Sequence, residues 1–247
     1  TIVRPDVYTT EGHLASRING VPTGHPVSCV ILNLYAQEVD DALAKVPGAF
    51  YARYSDDILF AHTDLEVVQA ADARMESILQ DLRLRFNPTK RKNLFLNGAG
   101  RAADGWPGSR GTTVVPYLGS TVWADGTIGL GRKRTRRLLR DVLGRALRTA
   151  RAARSDDPDE VGRVVCAAVN RAVGPGGGPF QNPAALFLSQ VSTSRSQLQQ
   201  LDYWLTRIVV RAVTGDPSVR ALRRIPYQKI RKEWGLVSLV QARNATG

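Results

Sequence analysis

Little in this chain supports metal binding by soft ligands, redox chemistry or membrane insertion. Its 247 residues include two cysteines, Cys29 and Cys166, and three histidines, His13, His25 and His62. Neither set has metal-ligand spacing, which argues against a zinc site and against a disulfide scaffold and suits a reducing, cytoplasmic setting. No apolar run approaches the ~18 residues that would predict a membrane span, and no signal peptide is visible at the start. Acidic residues are also scarce relative to basic ones: 22 Asp and Glu stand against 34 Lys and Arg, a formal net charge of +12. A balance that basic points to a polyanionic partner, with nucleic acid as the default. Hydrophobic residues make up 43% of the chain, enough for a packed core and too many for global disorder.

Against that scarcity of acids, two sit side by side. Phe50-Tyr-Ala-Arg-Tyr-Ser-Asp-Asp-Ile-Leu-Phe60 places Asp56 and Asp57 between two apolar, aromatic-rich runs. Apolar strand, acidic tip, apolar strand is the pattern of a β-hairpin presenting charge at its turn. Adjacent carboxylates repel one another, and a divalent cation relieves that repulsion. Mg²⁺ suits such a pair because it takes carboxylate oxygens together with substrate phosphates. The hairpin is therefore a candidate metal site for phosphoryl or nucleotidyl transfer.

The surrounding pattern reads as α+β. Val30, Ile31, Leu34, Val39 and Leu43 recur at helical spacing over 27–43, and Pro47-Gly48 ends that helix. Asp64 is the expected N-cap of a second helix running through Val67 to Leu82. Leu84-Arg-Phe86 starts an extended piece and Asn87-Pro88 turns it. Residues 92–96 read as a strand and 97–112 as a Gly-rich loop. Val114 to Gly119 and Ser120 to Trp123 form a strand pair, and Asp125-Gly126 signals a tight turn. From Gly131 the pattern becomes helical and Arg-rich, with Leu139, Val142, Leu143, Ala146 and Leu147 as the apolar face. Ala172 to Pro179 reads as a flexible joint, followed by further helices that include 197–213. The expected organisation is a mixed domain over 1–130 and a helical, Arg-rich domain over 131–247.

The order of these pieces resembles reverse transcriptases. Val21-Pro-Thr-Gly-His-Pro-Val-Ser28 with Asn33-Leu34 resembles their motif B loop and helix. Arg53-Tyr-Ser-Asp-Asp-Ile58 is similar to the Tyr-x-Asp-Asp box, Phe86-Asn-Pro-Thr-Lys90 to motif D, and Val115-Pro-Tyr-Leu-Gly119 to the primer-grip turn. The form of the loop and box is most similar to bacterial retron, group II intron and antiviral-defence enzymes. The likeness covers about residues 18–125, and Leu198 to Trp204 is weakly similar to the thumb of the same group.

That resemblance implies a right-hand polymerase: a palm of antiparallel sheet with helices, then a helical thumb. The implied activity is RNA-directed DNA polymerisation using two Mg²⁺ ions, with Mn²⁺ as a substitute. An RNA template, an RNA or DNA primer and dNTPs would be its partners. Asp56 would be a direct metal ligand and Asp57 either a ligand or a support for one. Lys90 sits where motif D places a general acid. Pro22, Thr23, Gly24 and Tyr54 would face the nucleotide and template, and His25, standing where a small residue is usual, would narrow the pocket or stack on a template base. Tyr117, Leu118 and Gly119 would press on the primer. Arg134, Arg137 and Arg148 would follow the duplex phosphates.

One piece of the pattern is missing. The family carries another metal-binding Asp, in motif A, several dozen residues before motif B, and Asp6-Val-Tyr is only a faint likeness at too short a spacing. The fingers and the sugar-selecting residue are not found either. A separate chain, or a further segment of a longer polypeptide, is expected to complete the site. The alternative is a catalytically incomplete, maturase-like RNA-binding module, and an RNA-templated RNA polymerase is a third reading.

Overall fold

The computed structural model describes residues 6–8, 11–16, 26–96, 109–174 and 182–244. They divide into two compact units, residues 1–93 and 94–247.

The first unit opens with a small hairpin, β1 (Asp6–Tyr8) and β2 (Leu14–Ser16), in a stretch whose sequence carries no strand pattern. Next come α1 (Pro26–Tyr35) and α2 (Gln37–Leu43), where periodicity predicts one helix. The break is at Ala36, whose ψ of 3° leaves helical geometry. Gly48, at φ +73°, turns the chain into β3 (Phe50–Tyr54), which pairs antiparallel with β4 (Asp57–Ala61). Helix α3 (Leu65–Asp81) then starts as expected: the Asp64 carboxylate accepts the Glu66 N–H at 2.9 Å. Ala71 and Ile78 of α3 bury against Val39 and Leu43 of α2, with Tyr51, Ile58, Phe60 and Met75 packed around them. Each large aliphatic buried there stabilises by roughly 1.5–3 kcal/mol. This small core is what fixes the hairpin against the two helices. Leu84 to Phe86, expected to be extended, lies in irregular backbone.

The second unit begins with β5 (Leu94–Leu96), paired in parallel with β6 (Arg110–Thr112). Residues 110–112 therefore form a strand where the sequence reads as loop. The strands β7 (Val114–Tyr117), β8 (Ser120–Trp123) and β9 (Ile128–Leu130) make an antiparallel sheet. The β7–β8 turn is Leu118-Gly119, both at positive φ (47° and 75°), the geometry that matches strand twist in two-residue hairpins. At the expected Asp125-Gly126 turn, the Asp125 carboxylate accepts the Thr127 N–H at 2.9 Å.

Beyond Gly131 every element among the described residues is helical: α4 (Arg132–Ala152), α5 (Pro158–Val173), α6 (Pro183–Gln190), α7 (Arg195–Thr214), α8 (Val219–Arg224), a π-helical turn at Lys229–Glu233, and α9 (Leu239–Asn244). Asp157, Asn182 and Ser194 cap α5, α6 and α7 with their side-chain oxygens. The core of this unit joins Leu138, Val142 and Ala146 of α4 to Val165 and Val169 of α5 and Leu201, Leu205 and Val209 of α7. The sheet joins it by a side chain standing in for a strand. Gln197 accepts the Leu130 N–H at 2.7 Å and donates to the Leu130 carbonyl at 2.8 Å, satisfying a backbone edge that would otherwise need water. Residues 175–181, where the flexible joint is expected, lie outside the described residues.

Candidate active site

The acidic turn stands where its flanking strands put it. Tyr54 pairs with Asp57, which leaves Ser55 and Asp56 as a two-residue turn. Ser55 holds φ at +58°, a region that favours glycine, so packing around the hairpin must keep it there. Tyr54, Asp56 and Asp57 are all exposed. The turn thus places two adjacent, exposed acidic residues at the end of the hairpin. Among the described residues no three His, Cys, Asp or Glu side chains gather into a metal-holding group. Two carboxylates nonetheless fit a Mg²⁺ ion, which keeps several waters and takes its remaining oxygens from substrate phosphates.

What holds the turn is Arg53, which lies beneath it with 9% of its side chain exposed. Its Nε and Nη2 donate to the two oxygens of Asp40 at 2.8 and 2.5 Å. Its Nη1 donates to the Asn33 side-chain oxygen and to the Ser55 carbonyl, each at 3.0 Å. Tyr51 adds a hydroxyl bond to Asp40 at 2.6 Å. One guanidinium thereby ties α1, α2 and the turn together, in the fork geometry that lysine could not supply. The hydrogen bonds from Arg53 hold the Asp40 carboxyl below the usual carboxylate range. Burial pushes the Tyr51 hydroxyl upward, and donation to Asp40 adds to it. Asp40 and Tyr51 belong to no motif. The signal available is that Asp40 stands next to the buried Val39 on α2, and that strand alternation puts Tyr51 and Arg53 on one face.

Lys90 lies in the same unit, in a turn built by Asn87. The Asn87 carbonyl accepts from Lys90 N at 3.0 Å and Arg91 N at 3.1 Å, and its side chain accepts from Thr89 N at 3.0 Å. Lys90 and Lys92 are exposed. Arg91 is not, because it hydrogen-bonds Asp72, lies 3.8 Å from Glu76 and stacks 4.8 Å over the Phe86 ring. Of the three adjacent cations, Arg91 is engaged in anchoring the turn to α3.

In the second unit, the Leu118-Gly119 turn and the Arg-rich helix come together. Gly119 accepts the Gly131 N–H at 2.9 Å, and a Cβ on Gly119 would lie 2.4 Å from Arg134 Nε. Tyr117 to Gly119 thus dock against the first turn of α4 with Arg134 across them. Arg134, Arg137 and Arg148 are exposed, and helical spacing puts them on one flank of α4. Arg145 shares that flank. With Arg140, Asp141 and Arg148 it borders a surface pocket of about 470 Å³ that Arg171 and Asn182 also line. Arg145 and Arg171 are additions to the basic residues selected from sequence. Pro22, Thr23, Gly24 and His25 lie outside the described residues.

Residues 7–122 match the family model for reverse transcriptase, an RNA-dependent DNA polymerase. The match takes in the acidic hairpin, the Lys90 turn and the Leu118-Gly119 turn. No curated protein and no solved structure matches the chain. Among the described residues no helix is long and apolar enough to cross a membrane.

Proposed function

We propose, from the match of residues 7–122 to the reverse transcriptase family model, that the chain works as an RNA-directed DNA polymerase with Asp56-Asp57 as its metal-binding turn. The observation that carries this reading is the exposed acid pair on a hairpin braced by Arg53, inside the family-matched segment. In a basic protein a pure RNA binder gains nothing from clustered acids beside RNA phosphates.

The reaction joins a primer 3′-hydroxyl to the α-phosphate of a dNTP as the bond to pyrophosphate breaks. Two Mg²⁺ ions, or Mn²⁺, supply activation of the attacking oxygen and neutralisation of the leaving group when bound. Phosphoryl transfer needs little covalent help, so the chain's own residues act by positioning and charge. Asp56 serves as a direct ligand and Asp57 as a ligand or its support. Arg53 fixes the turn that aims both. Lys90 donates a proton to the departing pyrophosphate. Pro22, Thr23, Gly24 and Tyr54 flank the nucleotide and template. Tyr117, Leu118 and Gly119 press on the primer, and Arg134, Arg137 and Arg148 take phosphates of the duplex. Residues 1–130 supply the palm in this reading and 131–247 the thumb. A third carboxylate comes from another segment or chain that packs beside the hairpin. Val30 and Leu34 of α1 and Phe50 and Tyr54 of β3, all large and exposed, support such a packing partner.

The test is primer extension on an RNA template with Mg²⁺ and dNTPs, comparing the chain and whatever co-purifies with an Asp56→Asn/Asp57→Asn variant. Loss of metal ligation is expected to cost on the order of a thousand-fold in rate. The second reading, an incomplete RNA-binding module, is favoured by the presence of only two acids at the turn among the described residues. Salt-sensitive RNA binding that survives the double substitution, without incorporation by either protein, would choose it.

A further inference from the structure

Helix α7 buries Leu198, Leu201, Leu205 and Val209 on its inner face. Its outer face is unusual for a surface helix. Tyr203 and Trp204 are 46% and 39% exposed, with ring centroids 5.6 Å apart and planes inclined at 67°. Arg207, one turn on, lies 5.1 Å from the Trp204 ring and 5.9 Å from the Tyr203 ring. Its Nη2 donates to the Pro217 carbonyl at 2.9 Å, which fixes the guanidinium and ties α7 to the loop before α8.

Exposed aromatics alone would say nothing about a ligand. Here the charge around them does. Arg211 continues the outer face of α7, and Arg220 and Arg223 stand exposed on α8, which packs against α7. None of these three forms an ion pair among the described residues. By helical spacing Gln200, Tyr203, Trp204, Arg207 and Arg211 share the outer face, and no acid is among them. The nearby Asp216 accepts the Ser218 N–H at 2.7 Å instead. Rigid, amphipathic rings set among unpaired cations match a ligand that offers flat π-faces and regularly spaced negative charge. A polynucleotide strand with unpaired bases has both; a duplex hides its base faces.

We propose that Tyr203, Trp204 and Arg207 form a stacking platform for unpaired bases of a single-stranded polynucleotide, whose phosphates pair with Arg211, Arg220 and Arg223. The platform uses none of the residues assigned to catalysis, primer gripping or duplex tracking. It shares with the proposed function only the premise that the ligand is nucleic acid, so the two fail separately.

Fluorescence anisotropy of labelled oligouridylate of about 12 nucleotides, within the span of such sites, tests it in the Asp56→Asn/Asp57→Asn chain. Tyr203→Ala/Trp204→Ala is expected to weaken binding on the order of 10-fold or more. Tyr203→Phe/Trp204→Phe, which keeps a ring at each position, is expected to stay within about twofold. Duplex RNA of equal length is expected to bind both variants alike. Oligothymidylate in parallel separates the sources: an equal loss assigns the platform to bases whatever their sugar, and a loss confined to oligouridylate assigns it to RNA. Unchanged oligouridylate binding in the alanine variant, or an equal loss on duplex, would overturn the proposal. Primer extension by the alanine variant with both aspartates intact reports on the catalytic reading independently.

Discussion

Arg53 grips both carboxylate oxygens of Asp40, through Nε at 2.8 Å and Nη2 at 2.5 Å, and with its remaining nitrogen holds the Ser55 carbonyl at 3.0 Å. The ion pair is therefore coupled to the backbone of the acidic turn. Arg53→Met removes the brace and leaves the partly buried Asp40 without its cation, with only the Tyr51 hydroxyl still bonded to it. The expected cost is about 2–3 kcal/mol of stability, read as a lower urea midpoint. Arg53→Lys keeps the charge but loses the fork. Its stability loss is expected to be smaller, about 1 kcal/mol, while primer extension still falls because the Ser55 contact is gone.

The same network sets a pH window. The Asp40 carboxyl titrates lower in the fold than in the unfolded chain, because Arg53 hydrogen-bonds its charged form. The folded state then binds fewer protons, so stability rises with pH through this range. The contribution is present above about pH 4, the ordinary carboxylate value, and is lost as pH falls through the lowered one. Tyr51 works at the other end: its raised value gives stability that is present below about pH 10 and is lost as pH rises through that value. Urea midpoints of the chain are expected to fall toward both extremes, and those of Arg53→Met to fall less steeply on the acid side.

Two glycines that meet across a hydrogen bond, Gly119 in the β7–β8 turn and Gly131 at the start of α4, are expected to differ in tolerance. A Cβ at Gly119 meets Arg134 Nε at 2.4 Å, a flexible side chain that can swing away, although its φ of +75° still penalises alanine. A Cβ at Gly131 meets the Gly119 carbonyl oxygen at 2.7 Å, and backbone cannot swing away. Gly119→Ala is expected to cost about 1 kcal/mol and Gly131→Ala about 2–3 kcal/mol. Thermal unfolding gives the order directly, and the reverse order would mean that Arg134 is fixed where it lies.

Gly162 on α5 carries the weight of Trp234, whose ring carbon Cδ2 would lie 2.3 Å from a Cβ there. The indole is buried and pinned by its N–H bond to Asp159 at 3.1 Å, so it has no room to shift. Gly162→Ala is expected to destabilise by about 1–3 kcal/mol. Trp234→Leu makes space at its own cost. In a double-mutant cycle the pair is expected to lose less than the sum of the singles. Additive losses would show that the clash is relieved elsewhere.

The elements that sequence foretells are those with a local cause. The β3–β4 hairpin is legible from its acidic tip between apolar runs, the start of α3 from Asp64, and the turn before β9 from Asp125-Gly126. The start of α4 after Gly131 is legible from its arginines. Elements created by distant partners are not legible. Arg110–Thr112 becomes a strand because Leu94–Leu96 lies beside it in parallel. Gln197 looks like an ordinary polar helix residue until Leu130 is seen between its two side-chain atoms. On α4, Leu138 is buried and Leu139 only partly so, since the choice between adjacent leucines depends on where α5 and α7 arrive. The acid pair itself was visible in the sequence; the Arg53–Asp40 brace beneath it required a contact between a helix and a strand that share no motif.

Lys90 and Arg91 are neighbours with separable expected effects. Arg91 is engaged by Asp72, by Glu76 and by the face of Phe86, so Arg91→Ala is expected to loosen the turn and lower stability by about 1–2 kcal/mol. Lys90 is exposed, and no ion pair involving it is found among the described residues. Lys90→Ala is expected to leave the urea midpoint within about 0.5 kcal/mol. If Lys90 donates a proton to the leaving pyrophosphate, the same change lowers the single-turnover rate of nucleotide addition by about 100-fold. A Lys90→Ala chain that extends primers at the parent rate would remove Lys90 from the chemistry, and Lys92, the other exposed cation of the segment, would be the next substitution to make.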